Sequence, residues 1–229
     1  MLFVAVLEYI GVLASAISGI RISTAKHFDV FGAYVVGLVT AIGGGSLRDG
    51  MLNVPMFWMQ QPGYLICTFC AVLVVWAFGR RIVNENITWF VFDTIGLAIF
   101  TVLGVQKSLS LGHSWWVAVM LGTITGAAGG IMRDVLVNDV PLIFRSELYA
   151  TSSALGACCY CVVYYLDVDL RICSLIGGLV VMAMRFLSVK YHLSLPKLSK
   201  RANIKHLGGH HRHGGHPQKH ADGHENANT

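Results

Sequence analysis

The chain contains one pattern twice, GGSLRD at residues 44–49 and GGIMRD at residues 129–134. The two copies begin 85 residues apart, at 44 and at 129. The same offset aligns identical or chemically similar residues over much of the chain: Glu8 with Asp93, Gly19 with Gly104, Thr40 with Thr125, Asn53 with Asn138, and Tyr64 with Tyr149. Because these matches share one register, the sequence predicts an internal duplication.

The composition places both copies of the pattern in a membrane protein. Of the 229 residues, 55% are hydrophobic and 13% are charged, whereas soluble domains carry about 25% charged residues. A helix needs about 20 mostly apolar residues to cross a bilayer. Seven stretches approach or reach that length: 2–20, 31–54, 64–79, 87–105, 115–137, 149–166 and 171–189. The sequence therefore predicts an all-α integral membrane protein with seven transmembrane helices and excludes an ordinary soluble enzyme.

The duplication and the seven spans together define the predicted organisation. Residues 1–84 form a first three-helix repeat and residues 85–170 a second one. Since three crossings is an odd number, the second repeat enters the bilayer inverted relative to the first. Residues 171–189 form a seventh transmembrane helix outside the duplication, and residues 190–229 form a disordered, basic, His- and Gly-rich cytoplasmic tail.

The positions of lysine and arginine predict the orientation. With seven spans the two termini lie on opposite sides of the membrane. An outside amino terminus puts 12 of the 17 Lys and Arg residues in the inside connections and tail: Arg21, Lys26, Arg80, Arg81, Arg145, Lys190, Lys197, Lys200, Arg201, Lys205, Arg212 and Lys219. Only Lys107 and Arg171 fall in the outside connections. The positive-inside rule therefore favours N-out, C-in.

Glycines concentrate near the middle of the second and fifth spans: Gly43, Gly44 and Gly45, and Gly126, Gly129 and Gly130. Three glycines cost a helix roughly 3 kcal/mol relative to alanine, which a bilayer tolerates only where freed backbone groups meet protein or water. We therefore expect both helices to kink or unwind there and to expose carbonyls that coordinate a cation. The alternative is that these glycines only let helices pack closely. The fifth span has Ala128 where the second has Gly43, so the two breaks need not be equal.

Four charged residues follow these glycines inside the predicted spans: Arg48, Asp49, Arg133 and Asp134. Each costs roughly 2.5–3.5 kcal/mol to insert, so each is expected to face a partner or a water-filled cavity. Neighbouring helical residues point about 100° apart, so each arginine is expected to pair with another helix and not with the aspartate beside it. The intramembrane acids Glu8 and Asp93 are the candidate partners. Arg185, near the end of the last span, is expected to extend to the cytoplasmic interface.

The tail suggests a separate chemistry. Its weak candidates for binding Zn or Ni ions are closely spaced histidines: His210, His211, His213 and His216. The alternative is a disordered extension attracted to anionic lipid.

The doubled GG-x-x-RD motif, in a seven-span chain of two three-helix repeats, resembles the prokaryotic branch of the trimeric intracellular cation channel family, some of whose relatives are classed as glycine transporters. The resemblance covers residues 2–189. It implies a homotrimer in a bacterial-type inner membrane, with one pore in each protomer. It also implies that kinked second and fifth helices line each pore, which passes K⁺ and, to a lesser degree, Na⁺. It implies no cofactor beyond the permeant ion, with bound lipid as a further candidate, and no nucleic-acid partner.

The leading hypothesis from these residues is a passive monovalent-cation channel. Hydroxyls beside the glycines are candidate ion ligands in addition to backbone carbonyls: Thr40, Ser46, Thr123 and Thr125. In this hypothesis Asp49 and Asp134 raise the local cation concentration, while Arg48 and Arg133 set a barrier or gate. The second hypothesis is a secondary transporter of glycine or another small neutral solute, which uses the same inverted repeats. A third, a membrane scaffold with a metal-sensing tail, leaves the intramembrane charges unexplained. An enzyme is not expected, since the spans contain no nucleophilic, zinc or phosphate-binding constellation.

Overall fold

The computed structural model describes residues 2–83, 86–145, 148–191 and 193. The four candidate metal-binding histidines of the tail lie outside the described residues. Within those ranges the chain forms seven helices of 15 residues or more: α1 (Leu2–Ala25), α2 (Val30–Met51), α3 (Gly63–Val83), α4 (Asn86–Ser110), α5 (Trp115–Leu136), α6 (Ala150–Tyr164) and α7 (Leu170–Lys190). A single helical turn, Phe57–Gln60, follows α2, and a 3₁₀ turn, Leu142–Phe144, follows α5.

The helices have the composition of membrane segments. Five of them are long and apolar enough to cross a bilayer, namely α1, α2, α4, α5 and α7. The other two contain shorter apolar stretches, Gly63–Phe78 in α3 and Ala150–Tyr164 in α6. The chain is an all-helical integral membrane protein.

Equivalent turns join the helices of the two repeats. His27, between α1 and α2, has a φ of 61°, and Gly112, between α4 and α5, has a φ of 80°. Asn53 and Asn138, just after α2 and α5, have φ values of 51° and 56°. Both pairs are 85 residues apart. Non-glycine residues seldom adopt positive φ, and asparagine tolerates it best, so the offset seen in the sequence recurs in the backbone.

Packing inside each repeat also recurs. The first helix of each repeat packs on the second and third, α1 on α2 and α3, and α4 on α5 and α6. A Cβ added to Gly19 would press on Thr40 and Gly37, and one added to Gly104 would press on Thr125 and Gly122. Small residues at such contacts let two helix backbones approach closely.

The two repeats meet along α1 with α4 and α2 with α5. Gly11 of α1 lies against Phe100 of α4, while Ser15, one turn later in α1, lies against Gly96, one turn earlier in α4. The contacts thus run in opposite directions along the two helices, which makes α1 and α4 antiparallel. The equivalent helices of the two repeats are therefore inverted relative to one another. The seventh helix packs on α4 and α6.

The helices α2 and α5 do not unwind at their glycines, so that part of the sequence prediction is wrong. Both are α-helical without interruption, over Val30–Met51 and Trp115–Leu136. Their glycines instead allow a close crossing, because a Cβ on Gly44 would overlap the Thr125 carbonyl oxygen and a Cβ on Gly129 would overlap that of Thr40. The close-packing alternative explains these positions, and a bend at the glycines stays a prediction.

Candidate functional site

Two of the four residues whose hydroxyls the sequence proposes as ion ligands, Thr40 and Thr125, lie at the crossing of α2 and α5. Thr40 and Thr125 are buried at equivalent positions on either side of it. Thr40 donates to the Val36 carbonyl at 2.6 Å, and Thr125 donates to the Leu121 carbonyl at 2.5 Å. A hydroxyl that donates in this way keeps its oxygen lone pairs. Since the helices are continuous, the hydroxyl oxygens of Thr40 and Thr125 are side-chain oxygens at the crossing that still have lone pairs.

The other two predicted hydroxyls are partly buried. Ser46 donates to the Ile42 carbonyl at 2.8 Å and accepts a hydrogen bond from Trp58 Nε1 at 2.8 Å. Thr123 donates to the Val119 carbonyl at 2.8 Å. One acceptor position of Ser46 is therefore taken by the indole.

At the carboxyl end of α2 lies the first charge cluster, which we call the Asp49 cluster. Asp49 is fully buried and Arg48 is 1% exposed. Arg48 Nε and Lys107 Nζ both donate to Asp49 Oδ1, at 2.7 Å and 2.8 Å. The backbone N–H of Phe57 donates to Asp49 Oδ2 at 2.9 Å. The carboxylate thus joins α2, the connection that follows it, and α4 of the other repeat.

The carboxyl end of α5 carries the second charge cluster, the Asp134 cluster. Arg133 Nε donates to Asp134 Oδ1 at 2.9 Å, and the backbone N–H of Leu142 donates to Asp134 Oδ2 at 3.0 Å. Arg133 Nη1 also donates to Asp93 Oδ1 at 2.5 Å and to Ser18 Oγ at 2.8 Å. Arg133 is fully buried. Two acids compensate its charge, and a hydroxyl of the first repeat accepts one of its hydrogen bonds.

The two clusters lie at opposite ends of the helix crossing. Gly44 of α2 meets Thr125 of α5, whereas Thr40, one turn earlier, meets Gly129, one turn later. These contacts make α2 and α5 antiparallel, so their carboxyl ends point in opposite directions. A path along the crossing would therefore pass one Arg–Asp cluster at each end.

The sequence prediction that each arginine avoids its neighbouring aspartate is wrong. Arg48 binds Asp49 and Arg133 binds Asp134. In each case a backbone N–H of the following connection holds the second carboxylate oxygen, and the arginine side chain is long enough to curve around the helix to the first.

The two acids predicted as arginine partners, Asp93 and Glu8, make different contacts. Asp93 binds Arg133, as the sequence suggested. Glu8 does not take the equivalent place: its Oε2 accepts a hydrogen bond from the Tyr64 hydroxyl at 2.7 Å. No ion pair found in the described part of the chain joins Glu8 to Arg48.

Arg185 does not extend out of the protein, which corrects the sequence prediction that its side chain reaches the cytoplasmic interface. It is fully buried, and its guanidinium carbon lies 4.9 Å from the Tyr149 ring centre and 5.0 Å from that of Phe90. Its Nη2 is 3.9 Å from Asp93 Oδ2. An arginine inside an apolar span is itself a signal of a buried ion pair. Arg185 lies outside the duplication, so the repeat offers no equivalent residue from which to predict its partner.

Lys107 was also missed, because sorting the charges assigned it to an outside connection. It lies in the last turn of α4, and its side chain is 29% exposed. The residues that the structure describes include no group of three or more His, Cys, Asp or Glu side chains placed to hold a metal ion.

Comparison with known proteins gives consistent matches along the chain. A family model described as Glycine transporter matches twice, over residues 5–80 and 90–165, ranges that are 85 residues apart. The UPF0126 inner membrane protein YadS of Escherichia coli (strain K12) is 36% identical over 202 residues, which cover 86% of this chain and 97% of that protein.

Two solved structures match nearly their whole length. A TRIC trimeric intracellular cation channel orthologue from Rhodobacter sphaeroides gives a TM-score of 0.80 with 26% identity, covering 84% of this chain and 100% of that chain. A structure described for conductance through TRIC cation channels gives a TM-score of 0.78 with 32% identity, covering 86% of this chain and 98% of that chain.

Proposed function

We propose that this chain, which belongs to the family that the glycine transporter model describes and which is similar to TRIC cation channels of known structure, is a K⁺-permeable monovalent-cation channel. The observation that carries the proposal is the 32% identical match, at a TM-score of 0.78 and over 98% of its length, to a TRIC cation channel. The solved neighbours are channels and not enzymes.

In the proposed channel α2 and α5 line the pore. In this proposal Thr40 and Thr125, which lie against the crossing glycines Gly129 and Gly44, provide hydroxyl oxygens near the middle of the pore, where an oxygen ligand can replace part of the hydration shell of a permeating cation. The permeant ion, K⁺ or Na⁺, is the sole small molecule that this function requires. A bend of α2 and α5 at the glycines would widen the pore and belongs to the same proposal.

In this proposal the Asp49 cluster and the Asp134 cluster lie at the two ends of the pore. Each presents an aspartate that attracts cations and an arginine that repels them, so each sets an electrostatic barrier at which permeation is controlled. The position of lysines and arginines supports an outside amino terminus, which places the Asp49 cluster at the outer end and the Asp134 cluster at the inner end.

The assembly in this proposal is a homotrimer with one pore in each protomer. The Rhodobacter sphaeroides neighbour is described as a trimeric channel. The protein is an integral inner-membrane protein, as its bacterial relatives and its apolar helices indicate.

The description of the family model supports one other function, a secondary transporter of glycine or another small neutral solute. Inverted repeats are common in such transporters, and an arginine and an aspartate near the substrate path suit the carboxylate and the ammonium of an amino acid.

Liposome flux separates the two functions. We expect the reconstituted full chain to release K⁺ down its gradient with no organic solute present, and to show no saturable uptake of labelled glycine. Liposomes prepared in parallel without protein give the background. Saturable glycine uptake without K⁺ conductance would replace the channel by the transporter.

A further inference from the structure

We propose that a groove between α1 and α7 binds one phospholipid, with an acyl chain in the groove and the phosphate at Arg171, and that it prefers phosphatidylethanolamine. The groove is separate from the crossing of α2 and α5, so this inference goes beyond the proposed channel and does not depend on it. Its floor is α4, which packs on both α1 and α7. Because α7 lies outside the duplication, the other repeat has no equivalent of this wall, and we expect one bound lipid per chain.

The walls of the groove suit a hydrocarbon chain. Its volume of about 480 Å³ lies within the range of about 300–1,000 Å³ of small-molecule pockets. Its lining includes Leu7 of α1, Val102 of α4 and Gly178 of α7. Ser174 also lines it, but its hydroxyl donates to the Leu170 carbonyl at 2.7 Å. An acyl chain can therefore fill the groove without breaking a hydrogen bond of this hydroxyl.

The dimensions of the groove match one acyl chain. Its lining on α7 runs from Arg171 to Met182, which is about 16 Å at 1.5 Å per residue. One leaflet is half of a hydrocarbon core that is about 30 Å thick. The volume of about 480 Å³ over this length corresponds to a mean width of about 6 Å. A helix with its side chains is about 10–12 Å across, so a helix of a second copy is too wide to enter.

One end of the groove carries a cation at the depth of the lipid headgroups. Arg171 lies in the first turn of α7, at one end of a helix that is long and apolar enough to span a bilayer. Its side chain lines the groove and the residue is exposed. A guanidinium binds a phosphate through parallel N–H donors. A lipid whose chain follows the groove therefore brings its phosphate to this arginine.

Acidic residues beside Arg171 select among headgroups. Asp169 Oδ1 accepts a hydrogen bond from the Arg171 backbone N–H at 2.7 Å, and Asp167 is exposed in the same turn. Two carboxylates and one guanidinium give this turn a net negative charge, which disfavours an anionic headgroup such as that of phosphatidylglycerol. Phosphatidylethanolamine has an ammonium that compensates the carboxylates while its phosphate binds Arg171.

The first test counts lipids on the purified full chain by native mass spectrometry, with palmitoyl-oleoyl phosphatidylethanolamine added. We expect one bound molecule per wild-type chain. A Cβ added to Gly178 would approach Val102 Cγ2 at 3.9 Å, an ordinary contact, so Gly178→Leu should be tolerated and should fill the groove. Displacing two or more CH₂ groups of the lipid should weaken binding roughly tenfold or more.

The matched control is Ala183→Leu. It places the same side chain at an exposed position of α7 outside the groove and should bind the lipid as the wild type does. Equal affinities of the Gly178→Leu and Ala183→Leu variants would overturn the inference.

The second test concerns the headgroup and does not need the Gly178→Leu variant to fold. Arg171→Gln should weaken phosphatidylethanolamine binding roughly fivefold, whereas Arg171→Lys, which keeps a cation, should stay near the wild type. Asp167→Asn combined with Asp169→Asn keeps the oxygen that caps α7 and should let phosphatidylglycerol bind as tightly as phosphatidylethanolamine. If the wild type binds both lipids equally and Arg171→Gln changes neither affinity, the assignment of the headgroup site is wrong.

A second copy of the chain is the competing occupant of the groove. In that case Gly178→Leu would lower the mass of the complex and leave the number of bound lipids unchanged, and the inference would fail. Liposome efflux keeps the two proposals apart. A wild type that binds phosphatidylethanolamine but conducts no K⁺ retains the lipid site and loses the channel, while one that conducts K⁺ and binds no such lipid does the reverse.

Discussion

Arg48 and Arg133 hold equivalent places in the two repeats, yet among the residues that the structure describes only Arg133 binds an acid on another helix. Arg133 reaches Asp93 as well as its neighbouring aspartate. Arg48 is held by Asp49, while the acid equivalent to Asp93 is engaged by a tyrosine hydroxyl. The symmetry of the sequence therefore does not extend to the hydrogen bonds of the arginines, and the two ends of the molecule respond differently to mutation.

This difference predicts unequal effects of removing the two intramembrane acids. Asp93→Asn takes a buried charge from Arg133 and Arg185, and breaking a buried pair costs about 3–5 kcal/mol. Glu8→Gln keeps an oxygen that accepts from the Tyr64 hydroxyl, so we expect a loss of at most about 1 kcal/mol. Thermal unfolding of both variants in the same detergent measures the difference. Equal destabilisation by the two substitutions would contradict this account of the clusters.

The sequence located most of these charged residues but predicted their pairing unevenly. Asp93 is a predicted candidate partner of the arginines because charged residues are costly in a bilayer, and the structure pairs it with Arg133. The angle between neighbouring helical residues argues against the Arg48–Asp49 contact. The contact forms nonetheless, with Asp49 Oδ2 held by the Phe57 backbone N–H. That hydrogen bond depends on the path of the connection after α2, which the sequence does not give. Arg185 was misplaced for a related reason: the aromatic rings that enclose it come from two other segments of the chain.

At the scale of helices, the length of the apolar stretches predicts all seven and underestimates α1, α3, α4 and α7, the first three most strongly. The first was predicted over 2–20 and the fourth over 87–105, whereas α1 extends to Ala25 and α4 to Ser110. Apolar stretches end at the first polar residues, but helical hydrogen bonding continues through them. Ser23 and Ser108 are fully buried near these ends and donate to the carbonyls of Gly19 and Gly104.

The crossing of α2 and α5 predicts that glycines of one helix differ sharply in their tolerance of a methyl group. Gly44→Ala would force a Cβ into the Thr125 carbonyl oxygen, and overpacking of this kind costs about 1–3 kcal/mol. We expect lower stability and reduced K⁺ efflux. An added Cβ on Gly50 of the same helix has no neighbour within 4 Å, so Gly50→Ala should be neutral or slightly stabilising. The contrast is measured by unfolding temperature and efflux together; a tolerated Gly44→Ala would mean that the helices do not need this close contact.

For the whole molecule, the inverted repeat means that each protomer contains both halves of the proposed pore. α1 packs on α4 and α2 on α5 within one chain, and both charge clusters are built from residues of that chain. A trimer of such chains therefore has three complete paths, whereas a path on the three-fold axis would need residues from every protomer.

Mixed trimers distinguish these two arrangements. The experiment co-expresses wild-type chains with an equal amount of Gly44→Val. The larger side chain of this variant should block the crossing. If each protomer conducts independently, we expect roughly half of the K⁺ efflux to remain. A single shared pore that one defective chain inactivates would retain roughly one eighth, because random mixing leaves few trimers fully wild-type. The measurement is efflux per chain from liposomes, with assembly checked by the mass of the complex, about three times 24.9 kDa. Gly50→Val, changed on the same helix where an added Cβ meets no neighbour, controls for the substitution itself and should preserve full efflux. A value near one eighth would place the conduction path between protomers and overturn the assignment of α2 and α5 as the walls of a pore within each chain.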